Sequence, residues 1–251
     1  MEDLRKSVTD VRSITEDLYA RQARKIFFQR REVTFHGWPH VSFVAKNARK
    51  FAVELKADIA TAEIAALVHD VNYLVAARGD ASVGSHLRAK ILRDAGLDTY
   101  SISVIEDVVV MAETHTRGRN ISREAMALSD ADTLFKALPI TPVILSPLYM
   151  RETRRSVREL AEKIVTEQVP LRDDEIYFYS ESAKKKYERW GDANLNLWSC
   201  ILESLDDRSV VELIEQMEEY TKIPAEAAGK KRGIPALIAV LRNHTRSDLR
   251  G

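Results

Sequence analysis

The sequence predicts an all-α protein, a helical bundle continued by additional C-terminal helices. Two observations carry this. Nine glycines and seven prolines in 251 residues are few for a chain that would have to turn between many strands. Apolar residues also recur at three- and four-residue intervals through long, charged stretches, which is the period of an amphipathic helix.

The elements follow in order. Residues 3–31 read as one or two amphipathic helices, with Leu4, Val8, Val11, Ile14 and Leu18 at helical spacing. Gly37 and Pro39 in the stretch HGWPH interrupt the pattern, because neither suits a helix interior. A helix from about Val41 to Leu55 follows, striped by Phe43, Val44, Ala48, Phe51, Ala52 and Leu55. Asp58 or Thr61 is placed to cap the next helix. Its run ATAEIAALVHDV is apolar almost all round, so a central, buried helix ending at His69-Asp70 is expected. A loop at Arg78-Gly79-Asp80 leads to a helix over 85–97, stopped near Gly96.

Residues 101–116 hold enough valine to suggest a strand. Val104, Val108, Met111 and His115 share one helical face, however, and a helix is expected. After the loop RGRN, Ser122 caps a helix over 122–138, without a capping box because Ala125 stands where Glu or Gln is needed. PITPVILSP at 139–147 reads as a proline-punctuated connector, and helices follow over 149–168, 175–205 and 207–220.

Composition narrows the function classes. Lys plus Arg and Asp plus Glu both total 38, so no global positive field marks a nucleic-acid binder. The single cysteine, Cys200, can form neither an intramolecular disulfide nor a Cys-Cys zinc motif, which fits a reducing, cytoplasmic setting. The charged N-terminal stretch lacks the apolar core of a signal peptide, and no run suits a membrane span.

The chemistry concentrates in one region. Five of the six histidines lie between 36 and 115, and His40, His69, His86 and His115 fall at or near the ends of separate predicted helices. Imidazole is a common metal ligand, and carboxylates complete such sites. Asp70 follows the apolar run IAALV directly. An ionised carboxylate there is costly to bury alone, and a cation within reach would offset that cost. Taken by itself, a solvated helix end explains His69-Asp70 equally well.

Three segments in order, FHGWPHV (35–41), AALVHDV (65–71) and SDADTLFKAL (129–138), resemble the HD-domain superfamily of metal-dependent phosphohydrolases. The resemblance covers roughly residues 30–140 and implies a helical metal-binding core there, within one HD-type domain over 1–225 followed by a basic tail over 226–251. It implies His40, His69, Asp70 and Asp132 as ligands. Asp132 is preferred over Asp130 because Ala131-Asp132 followed by Leu134 matches the family ending, and Asp130 is expected to cap or pair locally. In binuclear members two further histidines ligate, and His86 and His115 occupy those places, with Asp70 as the natural bridge and the key catalytic carboxylate. One or two divalent ions (Mn, Fe, Co, Ni, Mg or Zn) are implied.

His36, Tyr73, Arg117 and Lys136 are candidate substrate contacts, with Arg119 and Arg78 as further phosphate candidates. For His36 a structural role competes, and Trp38 is expected in the core. The implied activity is hydrolysis of a small phosphoester, a nucleotide or cyclic nucleotide, by metal-activated water. Alternatives are an HD-fold di-iron oxygenase and a regulatory module that keeps the fold; the long charged helices after 149 leave room for a homo-oligomer interface. The sequence HDVNYLV lacks the Glu-Asp continuation of guanosine-tetraphosphate hydrolases, and the chain lacks the Gly-Tyr-Pro signature of cyclic-di-GMP phosphodiesterases. Neither subgroup therefore supplies the substrate.

Overall fold

A computed structural model describes residues 2–29 and 33–222. The described residues are helical and contain no strand, so the all-α expectation holds. The chain divides into two compact units, Met1–Glu203 and Ser204–Gly251.

In the first unit, α1 (Glu2–Gln29), α2 (Trp38–Leu55), α3 (Ile59–Val68), the single turn α4 (Asn72–Val75), α5 (Ala81–Asp94), α6 (Thr99–Ala112) and α7 (Arg123–Ala137) form the core bundle. α3 is central: it packs on α1, α2, α6 and α7, and α2 packs along α7. Its residues Ala62 to Val68 are all buried, as its composition requires. The polar exception, Glu63, is neutralised by Arg12 of α1 at 2.8 Å and Arg49 of α2 at 3.2 Å. On α1, Val11 and Tyr19 are buried while Val8, Ile14 and Leu18 pack against the core, matching the predicted stripe; the side chain of Leu4 lies outside the described residues.

The starts of the helices are set locally. Pro39 sits in the first turn of α2, where the missing N–H has no partner to lose. Asp58, Asp80, Asp98 and Ser122 each accept a backbone N–H at the start of α3, α5, α6 and α7. Gly96, at φ 83°, ends α5 in the left-handed region.

Two readings are corrected. The buried face of α6 is Ile102, Ile105, Val108, Val109 and Ala112, while Met111 is exposed and the helix stops before His115. The connector at 139–147 is helical: a π-type turn over Thr141–Leu145 runs into α8 (Ser146–Thr153). Pro142 and Pro147 fall in first turns, where they do not interrupt a hydrogen-bonded ladder, and Pro139 lies in the turn before them. α9 (Val157–Asp173), with a full Ser156/Glu159 capping box, and α10 (Glu181–Ser204) follow. Leu160, Ile164, Tyr177, Phe178, Leu195 and Trp198 from this region join the core cluster.

The second unit holds α11 (Arg208–Lys222), an amphipathic helix with Leu213, Ile214 and Met217 exposed. The basic tail and His244 lie outside the described residues. Among the described residues, no single helix is long and apolar enough to cross a membrane.

Candidate metal centre

Two helix ends and the interior of a third helix build the site. The first turn of α2 carries His40, buried between Phe35, whose ring centroid is 5.8 Å away, and Phe135 at 4.4 Å. α3 ends at Val68, so His69 and Asp70 sit on the turn that leaves it rather than inside the helix. α7 supplies Asp132.

The side chains converge. His40 Nε2 lies 2.9 Å from Asp70 Oδ2, 3.3 Å from His69 Nε2 and 3.8 Å from Asp132 Oδ1. His69 Nε2 is 3.2 Å from Asp70 Oδ2. His69 Nδ1 lies 2.7 Å from the Ala66 carbonyl, so it donates its proton there and turns the Nε2 lone pair toward the other three groups. Ligand atoms of His40, His69 and Asp70 all fall within 4.8 Å of one another, the geometry of a cation site among the described residues.

The donor chemistry fits a metal ion. Two imidazole nitrogens and two carboxylates aimed at one partly buried point repel unless positive charge lies among them. Two nitrogens with two oxygens suit a divalent transition metal. The electrostatics agree. Burial would raise the Asp70 carboxyl pKa, but His69, His36 and His40 outweigh it and hold it well below the ordinary range. Asp132 is likewise held down at about 2, against burial, by Lys136 and the two imidazoles. Burial lowers the pKa of His40, while against burial Asp70 and Asp132 raise that of His69.

Asp132 is anchored on its far side. Lys136 Nζ lies 2.6 Å from Asp132 Oδ2 and Arg117 Nη2 3.6 Å from the same oxygen. Here the structure departs from the sequence reading. The Arg117 guanidinium is buried, donating to the Ala112 carbonyl at 2.9 Å and to the Thr133 hydroxyl. Those bonds direct it to Asp132 from behind, and it does not line the cavity. Asp130 is also placed differently. Its carboxylate reaches far along the chain to accept the N–H groups of Tyr179 at 2.7 Å and Ser180 at 2.8 Å.

A cavity of about 430 Å³ opens onto the centre. Of the candidate substrate contacts, His36, Tyr73 and Lys136 line it. His36 stacks on Tyr73 with the rings 5° from parallel, and its Nδ1 lies 2.6 Å from Glu152 Oε1. The other Glu152 oxygen accepts the N–H of Phe35 at 2.7 Å. His115 lines the same cavity but is exposed and sits 3.3 Å from Glu113. His86 is exposed on α5 and is not part of the cavity wall. Four of the six residues implied by the resemblance are therefore gathered, and the two outer histidines are not among them. Arg78 has its donors committed to the carbonyls of Thr153 and Arg154 and to Glu159; Arg119 donates to the Asp174 carbonyl. Trp38 is half-buried beside Tyr19.

Sequence reasoning missed Glu152, Glu113 and Arg155, all close to this cavity. Only long-range packing brings them there, and nothing in their own stretches of sequence sets them apart from surface charges.

No curated protein and no solved structure matches the chain. Residues 38–136 match the family described as HD domain, and this stretch contains all four converging side chains. Residues 38–136 thus match an HD domain, and within that stretch His40, His69, Asp70 and Asp132 fold into one centre.

Proposed function

We propose that the protein is a metal-dependent phosphohydrolase that cleaves a small phosphoester, of nucleotide or similar size. The observation that carries this reading is the convergence of His40, His69, Asp70 and Asp132, the last three of which line a cavity that also presents Lys136. A divalent ion held by these four residues would supply Lewis acidity and a water of lowered pKa.

The chain's own groups do the rest. Asp70, kept ionised by its imidazole neighbours, accepts the proton of the attacking water. Lys136 is positioned to bind a phosphoryl oxygen while neutralising Asp132. Glu152 orients His36, which stands on the cavity wall to hold or release a proton at the leaving-group oxygen. The di-iron oxygenase alternative needs the six-ligand set, and the exposed positions of His86 and His115 give it no support. A cytoplasmic setting suits the exposed free thiol of Cys200.

The test is direct. Protein purified with manganese, cobalt or nickel is expected to hydrolyse a phosphomonoester, and Asp70→Ala is expected to lose both bound metal, by elemental analysis, and activity. Unchanged turnover in Asp70→Ala would refute the assignment.

A further inference from the structure

His69, Asp70 and Asp132 of the centre line the cavity. Part of its wall comes from chain beyond the HD match, including α9 and α10. Leu160 and Ile164 of α9 and Leu195 and Trp198 of α10 give it an apolar surface. Among them stands Arg155.

Three features set Arg155 apart. It lines the cavity, yet its Nε is buried and has no hydrogen-bond partner. No carboxylate pairs with it among the described residues. The neighbouring titratable groups are accounted for: Tyr149 is hydrogen-bonded to the guanidinium, which pulls the phenol pKa down against the larger upward effect of burial and leaves the Nε without a partner. Glu167, on the cavity face of α9, is paired with Lys163 at 2.6 Å. A half-buried cation without a counter-ion is costly to keep.

The backbone that presents Arg155 is also fixed. Arg154 takes a left-handed conformation, φ 53°, at the end of α8, uncommon for a residue with a side chain. Arg78, from the loop after His69-Asp70, clamps this corner: its Nε donates to the Thr153 carbonyl at 2.8 Å and its Nη2 to the Arg154 carbonyl at 2.6 Å. The loop after His69-Asp70 thus fixes the backbone that leads into Arg155, as a preorganised recognition group requires.

We propose that Arg155 is a specificity-determining residue that binds a second anionic group of the substrate, remote from the phosphoryl group at the metal. The substrate class is a phosphoester that carries a further carboxylate or phosphate on a short apolar frame. The frame lies against Leu160, Ile164, Leu195 and Trp198. This inference rests on the phosphohydrolase reading for the identity of the first group.

The experiment separates the two claims. Calorimetry measures binding of phenylphosphonate, 4-carboxyphenylphosphonate and 1,4-phenylenediphosphonate to the full manganese-loaded chain and to its Arg155→Gln and Arg155→Lys variants. The wild type is expected to prefer one or both doubly anionic ligands by roughly tenfold or more, the value of one charge-assisted bidentate contact. Arg155→Gln should reduce that preference to less than about twofold with phenylphosphonate affinity unchanged, and Arg155→Lys should restore part of it. Which ligand gains more distinguishes carboxylate from phosphate. Equal wild-type affinity for all three, no measurable binding of any, or a preference that survives Arg155→Gln in a variant of unchanged melting temperature would overturn the proposal. Hydrolysis of the matching phosphate esters is scored separately, so failure of turnover counts against the phosphohydrolase reading and not against the Arg155 subsite.

Discussion

At the scale of single residues, the site is ordered by groups that touch no substrate. Arg117 bonds a carbonyl and a hydroxyl and sits against Asp132 with almost no exposure. Asp132 keeps Lys136 when Arg117 is removed, but the Ala112 carbonyl and the Thr133 hydroxyl lose a buried donor, so Arg117→Ala is expected to lower stability by about 2 kcal/mol, read from urea denaturation. Asp130 shares α7 with Asp132 but serves a different purpose. Burial raises its pKa to about 6, opposed by the N–H groups of Tyr179 and Ser180 and the Ser180 hydroxyl. Asp130→Ala leaves two backbone donors without an acceptor and is expected to cost about 2 kcal/mol, while metal stoichiometry stays at the wild-type value. His40, His69, Asp70 and Asp132 could be found in the sequence because each lies in a short recognisable segment. Glu152 and Arg155 could not, because a cavity-facing charge and a solvent-facing charge look alike until distant helices are packed.

At the scale of elements, the helices whose sequence states both a period and a cap were legible. α3, with Asp58 before an apolar run, and α7, with Ser122 before REAMAL, are the clearest. The region after 138 was less so, since Pro139, Pro142 and Pro147 suggest a broken connector although the chain there is helical. α9 makes a pH-dependent prediction. Glu159 bonds the Ser156 N–H in the capping box, and that bond, with further help from the Ser156 hydroxyl and Arg78, lowers its pKa below the ordinary 4.5. A carboxyl group lowered in the folded state stabilises above its unfolded pKa and loses that contribution as the pH falls through the folded value. The melting-temperature gap between wild type and Glu159→Ala should therefore be full at pH 7 and narrow steadily below pH about 4.5, as followed by circular dichroism. A gap that widens on acidification would contradict the assignment.

At the scale of the whole molecule, the HD match ends at residue 136 but the core and cavity of the first unit do not. Trp198, Phe178 and Leu195 are buried residues of the same cluster as α2 and α3. A chain ending at Glu203 is thus expected to fold and bind metal with wild-type stoichiometry. A chain ending near residue 140 should aggregate or bind a hydrophobic dye, because the apolar surface covered by those side chains is exposed. The joints between the HD core and the later helices share one property. Arg78, Asp130, Glu152 and Asn194 each cross between them by bonding backbone groups on the other side, Asn194 reaching the carbonyls of Lys136 and Leu138. Such a fastening registers the path of the chain and is indifferent to which amino acids travel along it. Side chains of α9 and α10 on the cavity wall are therefore free to vary, and the molecule can change what it recognises without rebuilding the centre built by His40, His69, Asp70 and Asp132.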